Sequence, residues 1–253
     1  MTALGEVEAA INLGAVAAGL VAGSFIGVVV HRSGEASILR PARSRCPHCG
    51  VTLTARDLVP LFSWALAGGR CRRCGDGLGW FYPGVELAAA AIALWSALTL
   101  TGWAMVVACL LGWTLLTIAL IDVRRLIVPD TLSLPLVAVG LGVAFAGDAG
   151  PADALLSACI GYATFAFVGW AYERVRGMPG LGLGDAKLLG AAGAWVGWQG
   201  LPSVVLIGAL AGLAGVLVAG GADRNRRIPF APSLCFGFWI VWLYGPMAVG
   251  GVA

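Results

Sequence analysis

The sequence predicts an all-α polytopic membrane protein of about eight transmembrane helices, with a small zinc-knuckle-like cytoplasmic loop between helices 1 and 2. Three observations predict it. Hydrophobic residues make up 59% of the chain and charged residues 11%, with a mean hydropathy of +0.90, whereas a soluble domain carries roughly 25% charged residues. Apolar stretches of about the 17–25 residues needed to span hydrocarbon recur along the chain. All 16 lysines and arginines fall on alternate connections between those stretches, as they do when a chain crosses a bilayer repeatedly.

The first apolar stretch begins near Ile11. Glu6 and Glu8 stand before it, where a secretory signal has its positive region, and no clear small-residue cleavage site follows, so it reads as a retained helix. Gly14, Gly19, Gly23 and Gly27 along it suit close helix packing in lipid, where small residues let backbones approach. Further stretches begin near Val85, Ala104, Thr131 and Ala154, a shorter one runs from Ala186 to Trp198, and two more begin near Leu201 and Pro229. These make one membrane domain over residues 1–253, with a single hydrophilic insert, the four-cysteine loop of residues 32–84.

The basic residues orient this map. Eight lie between Arg32 and Arg73; Arg124 and Arg125 form a second segment, Arg174, Arg176 and Lys187 a third, and Arg224, Arg226 and Arg227 a fourth. The opposite connections, around Gly102, Asp148 to Asp153 and Trp198 to Pro202, carry none. Under the positive-inside rule the four basic segments are cytoplasmic and both termini lie outside. The net charge of +3 then reflects topology and gives no support for a nucleic-acid partner. The partner that composition implies is the lipid bilayer.

Four of the seven cysteines form Cys46-Pro47-His48-Cys49 and Cys71-Arg72-Arg73-Cys74, two C-x-x-C knuckles separated by 21 residues. Paired knuckles read as a tetrahedral zinc site, and this separation lies just beyond the usual range of about 15–20. One ion would fold a segment too poor in apolar residues to fold alone. The competing reading is a pair of disulfides or a redox dithiol, against which a cytoplasmic loop argues. Cys109, Cys159 and Cys235 fall within apolar helices as small packing residues.

Two aspartates carry the best clue to chemistry. Asp122 ends the third helix and is followed by Arg124, Arg125, Pro129 and Asp130; Asp185 begins the sixth, after Gly182-Leu183-Gly184 and before Lys187. On the topology above both open on the cytoplasmic interface. An acid costs about 2.5–3.5 kcal/mol at the centre of a spanning helix, so carboxylates at membrane depth usually have a task. Within a few ångströms of each other they would share one proton by like-charge repulsion, the aspartic-protease arrangement. The alternative for either residue alone is a helix cap or an ion pair with Arg124, Arg125 or Lys187.

Other chemistries lack their residues. His31 and His48 are the only histidines and neither has an obvious serine or cysteine partner, which disfavours a serine or cysteine hydrolase. HExxH, a Walker A motif and a strand-based dinucleotide fingerprint are absent.

The chain resembles the bacterial type IV prepilin peptidases, the bifunctional leader peptidase and N-methyltransferase family, over almost its whole length. Gly23-Ser24-Phe25 looks like the family's first-helix signature. Ser44 to Gly50, Asp57-Leu58-Val59-Pro60, Ser63-Trp64, Gly69 to Cys74 and Tyr82-Pro83 through Glu86 match its cytoplasmic loop. Asp122 with Val128-Pro129-Asp130 resembles its first catalytic motif, Gly182 to Leu188 its G-x-G-D motif, and Arg227 to Pro232 the segment leading into its last helix. Two departures are Gly27, where relatives commonly have asparagine, and Gly84-Val85 after Tyr82-Pro83.

The resemblance implies a membrane aspartic endopeptidase of the bacterial plasma membrane that serves type IV pilus assembly or protein secretion. Asp122 and Asp185 would cut the basic leader from prepilins or pseudopilins, with no metal in the peptidase step. Pro129, Asp130, Gly182, Gly184 and Lys187 would support them, and Cys46, Cys49, Cys71 and Cys74 would hold a structural zinc. It also implies methylation of the new N-terminal amine from S-adenosylmethionine, whose binding residues the sequence does not reveal. Two rival classes are a proton-coupled transporter with the aspartates as relay groups, which usually lie nearer the midplane, and a membrane thiol-redox protein using the C-x-x-C pairs, which needs them on the oxidising side. A structural pilus-assembly platform is a third.

Overall fold

The computed structural model describes residues 3–33, 44–46, 48–147, 150–178, 180–218 and 229–247. Arg40, Arg43, Asp148, Arg224, Arg226 and Arg227 of the charge map, together with Pro47 and Ile228 of the motifs, lie outside the described residues. The elements are α1 (Ala3–Arg32), a 3-10 turn (Ala55–Leu58), α2 (Phe62–Leu66), α3 (Phe81–Thr99), α4 (Gly102–Arg125), α5 (Asp130–Ala146), α6 (Pro151–Arg176), α7 (Leu183–Val218) and α8 (Ala231–Tyr244). Extended pairing among the described residues is confined to two isolated antiparallel bridges, Arg45 with Thr52 and Arg70 with Gly77.

By length and composition five helices suffice to cross a membrane: α1 from Glu6, α3, α4, α6 and α7; α5 and α8 are shorter and apolar. All eight expected apolar stretches are helical, because α7 carries two of them as helices end to end. Gly197 breaks it with φ 71° and ψ 168°, outside any helical region and open only to glycine. The expected connection from Trp198 to Pro202 is therefore a one-residue break, and Pro202 falls in the first turns of the second half, where its missing N–H leaves little unpaired. The N–H that the break frees, that of Trp198, donates to Ser157 Oγ at 3.0 Å.

The helices before α8 begin one to several residues ahead of the apolar runs, as at Ala3 for Ile11 and Phe81 for Val85, whereas α8 begins at Ala231, two residues after Pro229. Hydropathy marks the hydrocarbon layer, and a helix continues past it into the interface. Tyr82, Pro83 and Glu86 are consequently helical residues at the foot of α3.

The chain forms two compact units, Met1–Trp113 and Thr114–Ala253, divided within α4. In the first, α1 and α3 run antiparallel on a glycine ridge. A methyl group on Gly19 would lie 2.5 Å from Ala90 Cα, one on Gly23 2.5 Å from Glu86 Cα, and one on Gly27 2.9 Å from the Tyr82 ring. Each four-residue step up α1 meets a four-residue step back along α3, so Gly19, Gly23 and Gly27 form the contact seam of this pair; Gly14, expected to pack as they do, has nothing within 4 Å. In the second unit α7 packs against α5, α6 and α8. Gly161 meets the Leu189 carbonyl and Gly193 the Ser157 carbonyl, again with no room for a side chain. Trp195 fills the space at Gly140 and donates its Nε1–H to Leu136 O at 2.8 Å.

Candidate active site

Asp122 lies in the last turn of α4. The helix ends when Leu126 turns into the left-handed region, φ 56°, with its N–H on Asp122 O at 2.8 Å. A β-carbon there costs about 1–2 kcal/mol, and the turn sends Val128-Pro129-Asp130 sharply away toward α5. Asp122 is buried, 6% exposed, and its Oδ2 accepts the backbone N–H of Ala231 at 3.2 Å. That donor is the first residue of α8, where N–H groups have no partner within the helix and the dipole favours an anion.

Asp185 sits in the first turn of α7, half-buried, with its N–H on Gly182 O at 3.1 Å. Asp122 ends α4 and Asp185 begins α7 within the same unit, and Cys235 of α8 is buried. Two contacts bring their motifs together. Gly184 lies against Val128, with only 2.8 Å from a would-be β-carbon to Val128 Cβ. Lys187 Nζ pairs with Asp130 Oδ1 at 2.6 Å. Lys187 is thus the counter-ion of Asp130, and Pro129 serves as the N-cap of α5, which fixes the approach of that loop.

The aspartates form a site of unequal members: one carboxylate buried and held by an amide, the other partly open. That inequality is what acid/base chemistry on a bound water needs, since the two groups have different partners and different access. Sequence reasoning brings Asp122, Asp185, Pro129, Asp130, Gly182, Gly184 and Lys187 to one place. It misses the Ala231 amide, for which no side chain speaks; Cys235 is buried in α8, as a packing residue is. Of the other helix cysteines, Cys109 is buried and Cys159 exposed.

A second cluster lies in the first unit. Each knuckle crosses a tight antiparallel turn: Cys46 N–H bonds Val51 O at 2.9 Å and Cys71 N–H bonds Asp76 O at 2.8 Å. Gly50 and Gly75, each directly after a knuckle, take φ of 68° and 76°. The two turns are copies of one device. They bring all four sulfurs of Cys46, Cys49, Cys71 and Cys74 within 4.8 Å of one another, with Cys46 and Cys74 3.9 Å apart. A tetrahedral ion with bonds of about 2.3 Å needs sulfurs about 3.8 Å apart, so the donor set fits zinc. The N–H groups of Cys74 and Arg73 donate to the Cys71 sulfur and draw that thiol down, toward the thiolate that binds metal, while burial and the neighbouring thiols push Cys74 up.

Around the knuckles the motif residues hold the loop. Trp64 donates Nε1–H to Gly79 O at 3.0 Å, and its ring lies 4.4 Å from that of Trp80. Asp57 accepts the Thr54 hydroxyl and N–H, which keep its carboxyl below the usual carboxylate range. Glu86, buried in α3, accepts the Leu61 N–H at 2.8 Å and bonds Ser24 of α1. Leu61 is itself in positive φ, 58°, so Glu86 clamps a strained turn. The signal for Glu86 was present: it is a third acid at the foot of an apolar helix.

Residues 17–100 match the bacterial peptidase A24 N-terminal domain, and residues 109–217 match the type IV leader peptidase family. A prepilin leader peptidase/N-methyltransferase of Burkholderia pseudomallei is 41% identical over 254 residues, covering 88% of this chain and 82% of that protein. Proteins of the same description from Aeromonas salmonicida and Pseudomonas aeruginosa are 36% and 37% identical, over 89% and 90% of this chain and 88% of each relative. No solved structure matches.

Proposed function

The chain belongs to the type IV leader peptidase family, and on that premise we propose that Asp122 and Asp185 are its catalytic pair, removing the leader peptide of type IV prepilins or pseudopilins. The observation that carries the reading is the junction of the two aspartate motifs, with Gly184 against Val128 and Lys187 on Asp130, beside a buried Asp122 held by the Ala231 amide. One carboxylate takes a proton from water as the water oxygen attacks the scissile carbonyl, while the carboxylic acid partner gives its proton to the carbonyl oxygen. The tetrahedral intermediate collapses when the C–N bond breaks: the leaving amine takes the dyad's proton while one hydroxyl of the gem-diol gives its proton to the ionised carboxylate, which re-forms the carbonyl and returns the dyad to its singly protonated state. Val128 against Gly184 holds the two motifs at working distance, and the exposed Asp130–Lys187 pair adds a weaker tie.

The chain also N-methylates the new N-terminal residue in this reading, as the relatives' names state of them. S-adenosylmethionine supplies the methyl group when bound. The four cysteines hold one structural zinc ion that shapes the loop and takes no part in peptide cleavage. The active site faces the cytoplasm across the bacterial inner membrane, both termini lie outside, and the asymmetry of the basic residues supports that orientation. A prepilin suits such a site physically, since it leaves an apolar helix in lipid and a charged leader at the interface.

The test is co-expression with a prepilin from the same genome and mass measurement of the pilin N-terminus. Loss of the leader together with the added mass of one CH₂ is expected. A full-length, unmodified pilin would contradict the reading.

A further inference from the structure

We propose that the cavity enclosed by the four-cysteine loop and the adjoining ends of α1 and α3 is the binding site for S-adenosylmethionine. The inference rests on the N-methyltransferase reading above and locates the methyl donor within it. The cavity measures about 440 Å³, inside the range of about 300–1,000 Å³ typical of small-ligand sites. It lies wholly within the first unit, and Cys46 and Cys71 form part of its wall.

Its chemistry matches a ligand with two cationic groups, one carboxylate and a flat base. Trp64 and Tyr82 offer aromatic faces. Trp64 is fixed by its bond to Gly79 and its stack on Trp80, and Tyr82 lies against α1 where Gly27 leaves room. A sulfonium or an adenine ring is favoured over such faces. Glu86 brings a carboxylate that is 6% exposed yet lines the cavity. A carboxylate accepts at about four lone-pair sites, and the Leu61 N–H and Ser24 occupy only part of that capacity. The remainder suits the donor's ammonium or ribose hydroxyls. Arg56 and Arg70 line the same cavity from exposed positions and match the methionine carboxylate.

Gly27 gains a purpose here. Glycine at this position lets the Tyr82 ring occupy the space beside α1, which makes the ring part of the cavity wall.

The experiment uses the full-length protein in detergent and two measurements. Equilibrium binding of S-adenosylmethionine is compared for the wild type, Tyr82→Ala, and Val28→Trp, which fills the cavity from α1. Both variants are expected to bind roughly tenfold more weakly or worse, as loss of one packed aromatic contact or of the space itself requires. Equal binding by all three would overturn the location while leaving the methyltransferase reading in place. No binding by the wild type up to millimolar donor would overturn that reading and the proposal with it. The second measurement does not depend on how the variants fold: ultraviolet cross-linking of radiolabelled S-adenosylmethionine to the wild type, with the labelled peptide identified by mass. A label on the peptide carrying Trp64 or Tyr82 is expected, and a label confined to residues 114–253 would overturn the proposal.

Discussion

The backbone N–H of Ala231 donates to Oδ2 of Asp122 at 3.2 Å across 109 residues of sequence. Three chain segments therefore meet at the carboxylates: the end of α4, the start of α7 and the start of α8. A hydrogen bond to a charged group contributes about 1.5–3 kcal/mol, enough to set one rotamer of Asp122 against the others. Asparagine offers the same acceptor, so Asp122→Asn keeps this contact while removing the acid. That substitution isolates chemistry from folding.

Gly184→Ala is expected to separate the two aspartate motifs. Its methyl would lie 2.8 Å from Val128 Cβ, an overpacking that costs about 1–3 kcal/mol, and displacement of Asp185 by a fraction of an ångström should lower cleavage on the order of tenfold to a hundredfold. Val128→Gly in the same chain removes the β-carbon that the added methyl meets, and the branch at 3.2 Å with it, and should restore much of the rate. Steady-state cleavage of a prepilin peptide by the two variants checks this, and a double variant no better than Gly184→Ala would refute the packing account.

Breaking the Asp130–Lys187 pair should matter far less. Both side chains are substantially exposed, 56% and 32%, and an exposed pair contributes about 0–1 kcal/mol. Asp130→Asn and Lys187→Met should each keep cleavage within roughly tenfold of wild type. Complete loss in either, with the protein folded, would mean that the ion pair takes part in catalysis.

Metal analysis of the purified protein should find one zinc per chain. Cys71→Ser with Cys74→Ser should abolish it and lower methylation at least as much as cleavage, because a four-cysteine loop without its ion loses the folding free energy the metal supplies. Absence of metal with all four thiols open to alkylation would contradict the assignment.

Gly23→Leu should unseat α1 from α3. The added carbons meet the Glu86 backbone at 2.5 Å, and backbone cannot yield as a side-chain tip does. The predicted effect is a lower melting temperature and faster proteolysis within residues 44–80, whereas Gly14→Leu, with nothing within 4 Å, should behave as wild type. Equal stability of the two variants would count against the glycine seam.

How far these features were legible follows from what kind of signal each leaves. The spans were, because burial in lipid demands unbroken apolar runs; their ends were not, because a helix outlasts the hydrocarbon layer, as α1 does by beginning at Ala3. The break in α7 was anticipated as a loop around Pro202, but Gly197 alone absorbs it, and one left-handed glycine has no compositional trace among 38. Asp122 and Asp185 stood out because an acid beside lipid is expensive. Glu86 carried the same signal and was passed over as a motif residue, although its burial and its hold on Leu61 make it central to the loop. The Ala231 amide was beyond reach of sequence: every residue but proline has that donor, and only the fold says which one faces a carboxylate.

The most direct measurement is leader cleavage by purified wild-type, Asp122→Asn and Asp185→Asn protein, with the masses of both peptide products read out and membrane insertion checked for each variant. The account predicts that the wild type releases the leader and that each asparagine variant, inserted and folded, leaves the prepilin intact. Substantial cleavage by either variant would contradict the assignment of Asp122 and Asp185 as the catalytic pair.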